Sequence, residues 1–208
     1  MDADVMVGFG GKQAWLAVRD CDPAEVLAAL GLRDLGEVRW RDGIDLAHLT
    51  DDRVAVTPPL PGSRWVLAAG RYLLRPDVAL DLAALSKQLH TEVQYFATHR
   101  VTETHRWQRA DDGSLIRAFG YVGQTGDVTT WYGDPDPVER AIGLPATLPG
   151  SLDDELDRLL ESGGSAAGPT TVLVNEQDVL RVAAGWSVDP TELDGREAPG
   201  PLRVGAAV

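Results

Sequence analysis

The stretch from Thr91 to Gly133 constrains the fold of this 208-residue chain more than any other part of the sequence. Short runs of alternating apolar and polar residues, separated by turn-forming residues, predict strands with one buried face. A bend is required near His99-Arg100, because one continuous strand through this region would far exceed the usual strand length. The pattern therefore predicts an antiparallel β-meander over about residues 91–132, with strands that include Glu92–Thr98, Thr102–Ala110 and Val128–Tyr132.

The meander contains a strong hairpin signal at Asp112-Gly113. Both residue types tolerate the left-handed backbone that a two-residue hairpin loop needs. If these two residues form the loop, Trp107 lies opposite Ala118 and His105 lies opposite Gly120. A large ring packs well against a small residue on the facing strand, so we expect this pairing to set the register of the hairpin.

A recurring D-P-x-E pattern predicts where helices begin, at Asp22, Asp136 and Asp189. The aspartate caps the free amide groups, proline suits the first helical position, and the glutamate completes a capping box. A ligand-binding signature is the alternative interpretation, and we favour the helix cap because it accounts for every residue of the pattern. Further helices are predicted after Asp77, from Ser151 to Glu161, and after Asn175.

The remaining segments predict a β-α arrangement before the meander and little regular structure after it. Gln13–Arg19 and Arg64–Leu74 suit buried strands, Val38-Arg39-Trp40 suits a short strand, and Asp42-Gly43 indicates a turn. The tail from Ala198 is rich in proline and glycine, which predicts a loosely held end.

These elements predict an α+β fold: an antiparallel meander with helices packed on one face and an N-terminal β-α segment. A chain of this length can bury one core across residues 1–208. It can also divide into two lobes, an N-terminal β-α segment over 1–60 and a sheet with C-terminal helices over 61–195. In either arrangement we expect residues 196–208 to form a loose tail.

The charge balance predicts the kind of partner. The chain has 19 basic and 32 acidic residues, for a net charge of −13. Such a protein repels nucleic acid, because phosphate neutralisation supplies most of that affinity. An acidic surface attracts a basic protein partner, or it serves only to maintain solubility. Residues 151–200 are the most acidic part, and the residues expected to face a partner are Asp153, Asp154, Glu155 and Asp157.

Several functional classes find no support in the sequence. It contains no apolar run of membrane-spanning length, and its acidic start is unlike a secretory signal. Cys21 is the only cysteine, so we expect a cytoplasmic protein without internal disulfides. The excess of arginine over lysine is typical of a GC-rich bacterial genome. Neither a P-loop lysine nor a nucleophile elbow is present, and we predict no metal and no cofactor.

The meander also holds the candidate binding residues, and two interpretations remain open for its charged side chains. Two histidines and a glutamate on one strand face can converge on a metal or act as a base, but the required bend disrupts that face. The arginines can bind a small anion, or they can pair with the acidic helices, including residues 153–161. The candidates are His99, Arg100, Glu103, His105, Arg117 and Trp131.

Three runs of sequence resemble a group of uncharacterised bacterial cytoplasmic proteins. They are VQYFATHRVTETHRW and DGSLIRAFGYVG in the meander, and VLRVAAGWSVDPTEL near the end of the chain. The resemblance covers about residues 60–195 and implies a recurring fold, with no activity to carry over. In charge and size alone, the chain is also similar in general character to immunity proteins that neutralise secreted toxins.

Two functional hypotheses follow from these observations. The first is a non-enzymatic acidic binding protein, of an immunity or accessory type, that engages a basic protein partner. The second is a small-molecule-binding protein or an enzyme that uses the histidine, arginine and glutamate cluster of the meander. The two differ in where the functional surface lies, because the first depends on exposed acids and the second on a concave pocket.

Overall fold

The structure, a computed structural model, describes residues 4–78, 80–148 and 172–208. Within these residues one antiparallel sheet of nine strands forms the centre of the molecule, in the order β2-β9-β3-β4-β1-β5-β6-β7-β8. The strands are β1 (Ala14–Arg19), β2 (Arg33–Val38), β3 (Arg53–Val56), β4 (Trp65–Ala69), β5 (Val93–His99), β6 (Thr104–Asp111), β7 (Ser114–Val122), β8 (Asp127–Tyr132) and β9 (Leu202–Ala206). The predicted α+β class and the antiparallel sheet are confirmed.

Helices cover both faces of this sheet, which corrects the expectation of helices on one face only. The described helices are α1 (Pro23–Ala29), α2 (Trp40–Leu49), α3 (Leu82–Leu89), α4 (Pro137–Ala141) and α5 (Glu176–Trp186), with short 3-10 helices at Arg71–Leu74 and Pro190–Leu193. Side chains of α1 and α3 join one buried cluster, and those of α2 and α5 join the other. The cause lies in strands such as β1, where five successive residues are buried and both faces need cover.

The hairpin at Asp112-Gly113 has the predicted two-residue loop, because Asp111 pairs with Ser114. The predicted register beyond it is wrong: Trp107 pairs with Phe119 rather than Ala118, and His105 pairs with Tyr121 rather than Gly120. The pairing shifts between Arg109 and Ala110, where β7 contains one extra residue, Ile116, whose side chain is exposed. A bulge of this kind moves every later pair by one position.

Most of the predicted helix starts are confirmed. Asp22 and Asp136 each complete a capping box with the glutamate three residues later, and Asn175 caps α5. Asp189 caps a 3-10 helix instead of an α-helix. Asp77 is not a cap, since its carboxylate pairs with Arg75. Helix α3 is capped by Asp81, which accepts a hydrogen bond from the amide of Ala84.

The expected strand at Val38-Arg39-Trp40 and turn at Asp42-Gly43 are replaced by the end of β2 and by helix α2. No local side chain caps α2. Its first amide, that of Trp40, donates instead to Asp4 Oδ2 at 2.9 Å. Gly43 is needed inside the helix because a Cβ there would lie 2.7 Å from a methyl carbon of Leu202 on β9. The helix therefore forms in place of the turn predicted at Asp42-Gly43, because Asp4 caps it from a distance and Gly43 permits the close approach of β9.

The C-terminal residues correct the expectation of a loose tail. Leu202–Ala206 form β9, which pairs with β2 on one side and β3 on the other. The N-terminal segment also belongs to the common sheet, because β1 lies between β4 and β5. The predicted acidic helix at 151–161, with its partner-facing acids Asp153, Asp154, Glu155 and Asp157, lies outside the described residues.

Candidate functional site: two cavities on opposite faces of the meander

The connection between β5 and β6 separates the residues that the sequence grouped together. His99 pairs with Thr104 on one face of the sheet, while His105 pairs with Thr98 on the other. His99 lines a large cleft on the first face, and Arg100, Glu103 and His105 line a smaller cavity on the opposite side. The two histidines therefore cannot act on a common ligand.

The smaller cavity, which we call the His105 cavity, has a volume of about 490 Å³. Glu176, at the first position of α5, organises its charged groups. Arg100 Nε lies 2.9 Å from Glu176 Oε1 and 3.1 Å from Oε2, and Arg100 Nη2 lies 2.5 Å from Oε1. Burial alone would raise the pKa of Glu176, but Arg100, the Lys12 amide and the Thr98 hydroxyl hold it below its usual range. The carboxylate is therefore ionised at neutral pH.

A short hydrogen-bonded chain fixes the state of His105. Thr98 Oγ1 lies 3.3 Å from Glu176 Oε2 and 3.1 Å from His105 Nδ1. An ionised carboxylate only accepts, so the Thr98 hydroxyl donates to Glu176 and accepts from His105 Nδ1–H. Burial lowers the pKa of His105, against the opposing charges of Glu176, Asp178 and Glu103. The imidazole is therefore neutral at pH 7 and carries its proton on Nδ1.

Arg117 belongs to neither cavity. Its guanidinium is buried and lies against Glu139, with Nε 2.8 Å from Oε1 and 3.1 Å from Oε2. The same carboxylate accepts from Trp107 Nε1 at 2.7 Å and from the amide of Asp136, where it completes the cap of α4. The Arg117 Nη1 atom donates to the carbonyl of Tyr132 at 2.8 Å. This network attaches α4 to the sheet through Nε and Nη1 of Arg117, whereas Arg117 Nη2 is buried without a hydrogen-bond partner among the described residues.

Trp131, the last predicted binding residue, also has a structural position. The Arg117 guanidinium carbon lies 4.5 Å from the centre of the Trp131 ring, within the range of a cation–π contact. The ring packs against the main core cluster with Phe119 at 6.0 Å between centroids. Trp131 thus completes the surroundings of Arg117, and its partly buried ring leaves little surface for a ligand.

The large cleft lies on the opposite face of the meander and has a volume of about 910 Å³. We call it the basic cleft, because its lining carries four permanent cations and one acid. The cations come from three parts of the chain: the turn before β1, the 3-10 helix together with the residue that follows it, and β6. The charged and titratable residues of its lining are Lys12, Arg71, Arg75, Arg106, His48, His99 and Asp51.

Two of the four cations of the basic cleft form ion pairs with acidic residues, and two do not. Arg71 Nε lies 3.0 Å from Asp51, and Arg75 is paired with Asp77 in a surface contact that lowers the pKa of that carboxyl. Within the described part of the chain, Lys12 and Arg106 form no ion pair. Two positive charges are therefore open to an external anion.

Tyr95 forms part of the floor of the basic cleft. Its hydroxyl donates to the carbonyl of Leu73 at 3.1 Å, and burial raises its pKa to about 12. His48 is also held in place, because its Nδ1 lies 3.1 Å from Nε2 of Gln13. The cleft therefore has a neutral, fixed floor beneath its cationic rim, which is the arrangement of a pre-formed small-molecule site.

Other site types find no support in the ranges 4–78, 80–148 and 172–208. These residues contain no group of three or more histidine, cysteine, aspartate or glutamate side chains placed to hold a metal ion. None of their helices is long and apolar enough to cross a membrane. Burial raises the pKa of the Cys21 thiol to about 11, so this cysteine is not a reactive nucleophile at neutral pH.

Comparisons with known proteins give no relative from which a function can be transferred. No family model matches the chain. No curated protein and no solved structure matches it either. The functional assignment therefore depends on the geometry and chemistry of the site itself.

Of the residues that line the basic cleft, only His99 was among the candidates named from the sequence. Arg106 is one of the meander arginines for which anion binding was left open, and β6 places it in the cleft. Lys12, Arg71 and Arg75 gave no signal, since they lie far from the meander in sequence. The one feature of the sequence that could have indicated Lys12 is that lysine is rare in this chain. Lys12 is one of only two lysines, and it follows two glycines.

Proposed function

We propose that this protein binds a small anionic molecule in the basic cleft. The observation that carries the proposal is a concave site of about 910 Å³ with four cationic side chains, in a chain whose net charge is −13. Cations gathered in a cleft of an acidic protein attract an anion locally while the rest of the surface repels it. The volume lies within the usual range for small-molecule sites.

The open cations of the cleft support binding rather than structural stabilisation. Arg106 is exposed and forms no ion pair among the described residues, although acids elsewhere in the structure pair with most of the arginines. Lys12 has a left-handed backbone, with φ of 55°, which is unusual for a residue other than glycine. Its amide hydrogen-bonds to Glu176, so the turn that presents Lys12 to the cleft is anchored.

A titration with simple anions tests the proposal. Inorganic phosphate, citrate and adenosine monophosphate are added at constant ionic strength, and binding is followed by calorimetry and by the melting temperature. We expect at least one to bind with a stoichiometry of one, and Arg106→Gln and Lys12→Gln each to weaken it about tenfold. Arg181→Gln removes an arginine exposed on α5 and serves as the matched control. Equal binding by the unmodified protein and all three variants would refute the proposal.

A second candidate function follows from the charge of the chain. Residues 151–200 contain 11 acidic and 3 basic residues, which favours capture of a basic protein partner by electrostatic attraction. The protein would then be a non-enzymatic binding or accessory factor of the immunity type. Asp153→Lys and Asp154→Lys should slow association with such a partner and reduce its salt dependence. An association rate that is independent of salt and of both substitutions would exclude this candidate.

A further inference from the structure

Charge and apolar surface are separated within the basic cleft. Along the paired strands β5 and β6, His99 lies opposite Thr104, Ala97 opposite Arg106, and Tyr95 opposite Gln108. The Arg106 guanidinium and the Thr104 hydroxyl therefore lie towards the connection between the strands, and the Tyr95 ring lies further along the sheet. Lys12 is at the same end as His99, because the amide of Thr98 donates to the carbonyl of Gln13, the residue that follows Lys12.

The opposite wall of the cleft is apolar and comes from one segment of the chain. Leu73, Leu74, Val78 and Leu80 all line the cleft, and they precede helix α3, which begins at Leu82. Leu74, Val78 and Leu80 are only partly buried in the structure. The neighbouring Arg71 and Arg75 are paired with Asp51 and Asp77, so this wall offers little net charge. Its exposed aliphatic surface is available to an apolar ligand group.

Between the cationic end and the apolar wall, the floor of the cleft offers the Tyr95 ring as a packing surface, and the Tyr95 hydroxyl is not free to bind a ligand. The Tyr95 hydroxyl is occupied by the carbonyl of Leu73. At the polar end, Thr102 Oγ1 lies 2.9 Å from His99 Nδ1 and 2.8 Å from Thr104 Oγ1, so these groups hold one another in place. The remaining charged groups at that end are Lys12 and Arg106, which fit the head group of an anion.

Resting on the proposed function, we infer that the ligand is an amphiphilic organic acid, with one anionic head and an apolar body of several carbons. Lys12 and Arg106 bind the head, and the wall formed by Leu74, Val78 and Leu80 contacts the body. A compact inorganic anion would leave this wall exposed to water. A neutral apolar molecule would leave the two cations without a counter-charge.

A series of straight-chain acids separates head from body. Acetate, butanoate, hexanoate and octanoate carry one carboxylate and differ only in methylene count, while 1-octanol and inorganic phosphate provide the body and the charge alone. Affinity should rise up to about fourfold for each methylene that becomes buried, so octanoate should bind most tightly. Calorimetry and protein-observed NMR titration at constant ionic strength measure the series.

Two variants assign the zones, and both leave the core intact. Arg106→Gln should weaken every acid about tenfold and leave 1-octanol unchanged. Val78→Thr keeps the shape of a partly exposed side chain and replaces a methyl by a hydroxyl. It should weaken octanoate about threefold and leave acetate unchanged. Arg181→Gln on α5 should behave as the unmodified protein throughout.

The outcomes distinguish this inference from the proposed function. Phosphate, acetate and octanoate binding equally, with all three dependent on Arg106, would overturn the inference and retain the anion site. Octanoate and 1-octanol binding equally, with no effect of Arg106→Gln, would overturn both. Failure of every anion to bind would also overturn both. A rise in affinity with chain length that depends on both Arg106 and Val78 supports both.

Discussion

Arg117 and Arg106 lie on neighbouring strands of the same sheet, yet their surroundings are opposite in character. The Arg117 side chain is 3% exposed and is bound by Glu139 and by backbone carbonyls. Arg106 faces the other side of the meander, is exposed, and lines the basic cleft without an ion pair among the described residues. Two arginines close together in sequence thus differ in role, because Arg117 is held within the structure and Arg106 is open to the proposed ligand.

The difference arises from what covers each face. Helix α4 supplies Glu139 to the face of Arg117, and the capping box that begins this helix holds the carboxylate in position. The face of Arg106 is bordered instead by the segment that precedes α3, whose acid Asp77 is paired with Arg75. Removal of one partner from a buried ion pair destabilises the fold, whereas a cation without a partner is available to the proposed ligand.

The largest effect is expected from Arg117→Ala. Removal of the guanidinium leaves Glu139 fully buried without its counter-ion, which should lower the free energy of unfolding by about 3–5 kcal/mol. Urea denaturation measures the change. The double variant Arg117→Met with Glu139→Leu should recover most of the loss, because no charge then remains buried. A loss below about 1 kcal/mol for the single variant would mean that Arg117 resembles Arg106 more than the structure indicates.

A smaller effect is expected from Trp107→Phe. The substitution removes the hydrogen bond from Nε1 to Glu139 and leaves the ion pair with Arg117. We expect a loss of about 2 kcal/mol from the missing donor, by the same urea measurement. Trp131→Phe is the control, since it keeps an aromatic ring beneath Arg117 and should cost about 1 kcal/mol or less. Equal losses would show that the indole N–H does not matter.

The pH dependence of stability tests the covered face in a different way. Burial lowers the pKa of His105 in the folded protein, so the unfolded chain, with a histidine pKa of about 6.5, binds the proton first as the pH falls. The contribution of His105 to stability is therefore fully present above about pH 7 and is lost on acidification. His105→Gln should make the decline below about pH 7 shallower. Parallel profiles for the two proteins would contradict the buried neutral state.

The smallest effect on stability is expected from Arg106→Gln. An exposed side chain without an ion pair should change the free energy of unfolding by less than about 0.5 kcal/mol. The same variant should lose most anion binding, so function and stability separate at this position. A large loss of stability would place Arg106 in the structural class of Arg117 and weaken the case for an open site.

The sequence predicted the parts of the fold whose signals are local. The D-P-x-E pattern at Asp22 and Asp136 specifies a capping box from four adjacent residues, and both helices begin there. Ile116 shows the limit of such reasoning. Nothing in the alternation of β7 distinguishes this residue from its neighbours, yet its bulge shifts the register of the whole hairpin beyond it.

Features that depend on distant contacts were not predictable from the sequence. Helix α2 obtains its cap from Asp4, 36 residues earlier. The basic cleft is assembled from a turn, a 3-10 helix and two strands, so no spacing in the sequence indicates it. The predicted cluster at 99–105 fails for a related reason: neighbouring residues of a hairpin face opposite sides of a sheet, and only the position of the bend decides which.

The position of β9 has a consequence for how this protein is made. Strand β9, the last of the described strands in chain order, fills the place between β2 and β3, which are among the first. Domains begin to fold while the ribosome is still extending the chain, but this sheet cannot close until β9 has been synthesised. A product truncated before Leu202 would expose two unpaired strand edges, which favour aggregation. The architecture thus makes synthesis of β9 a condition for closure of the sheet.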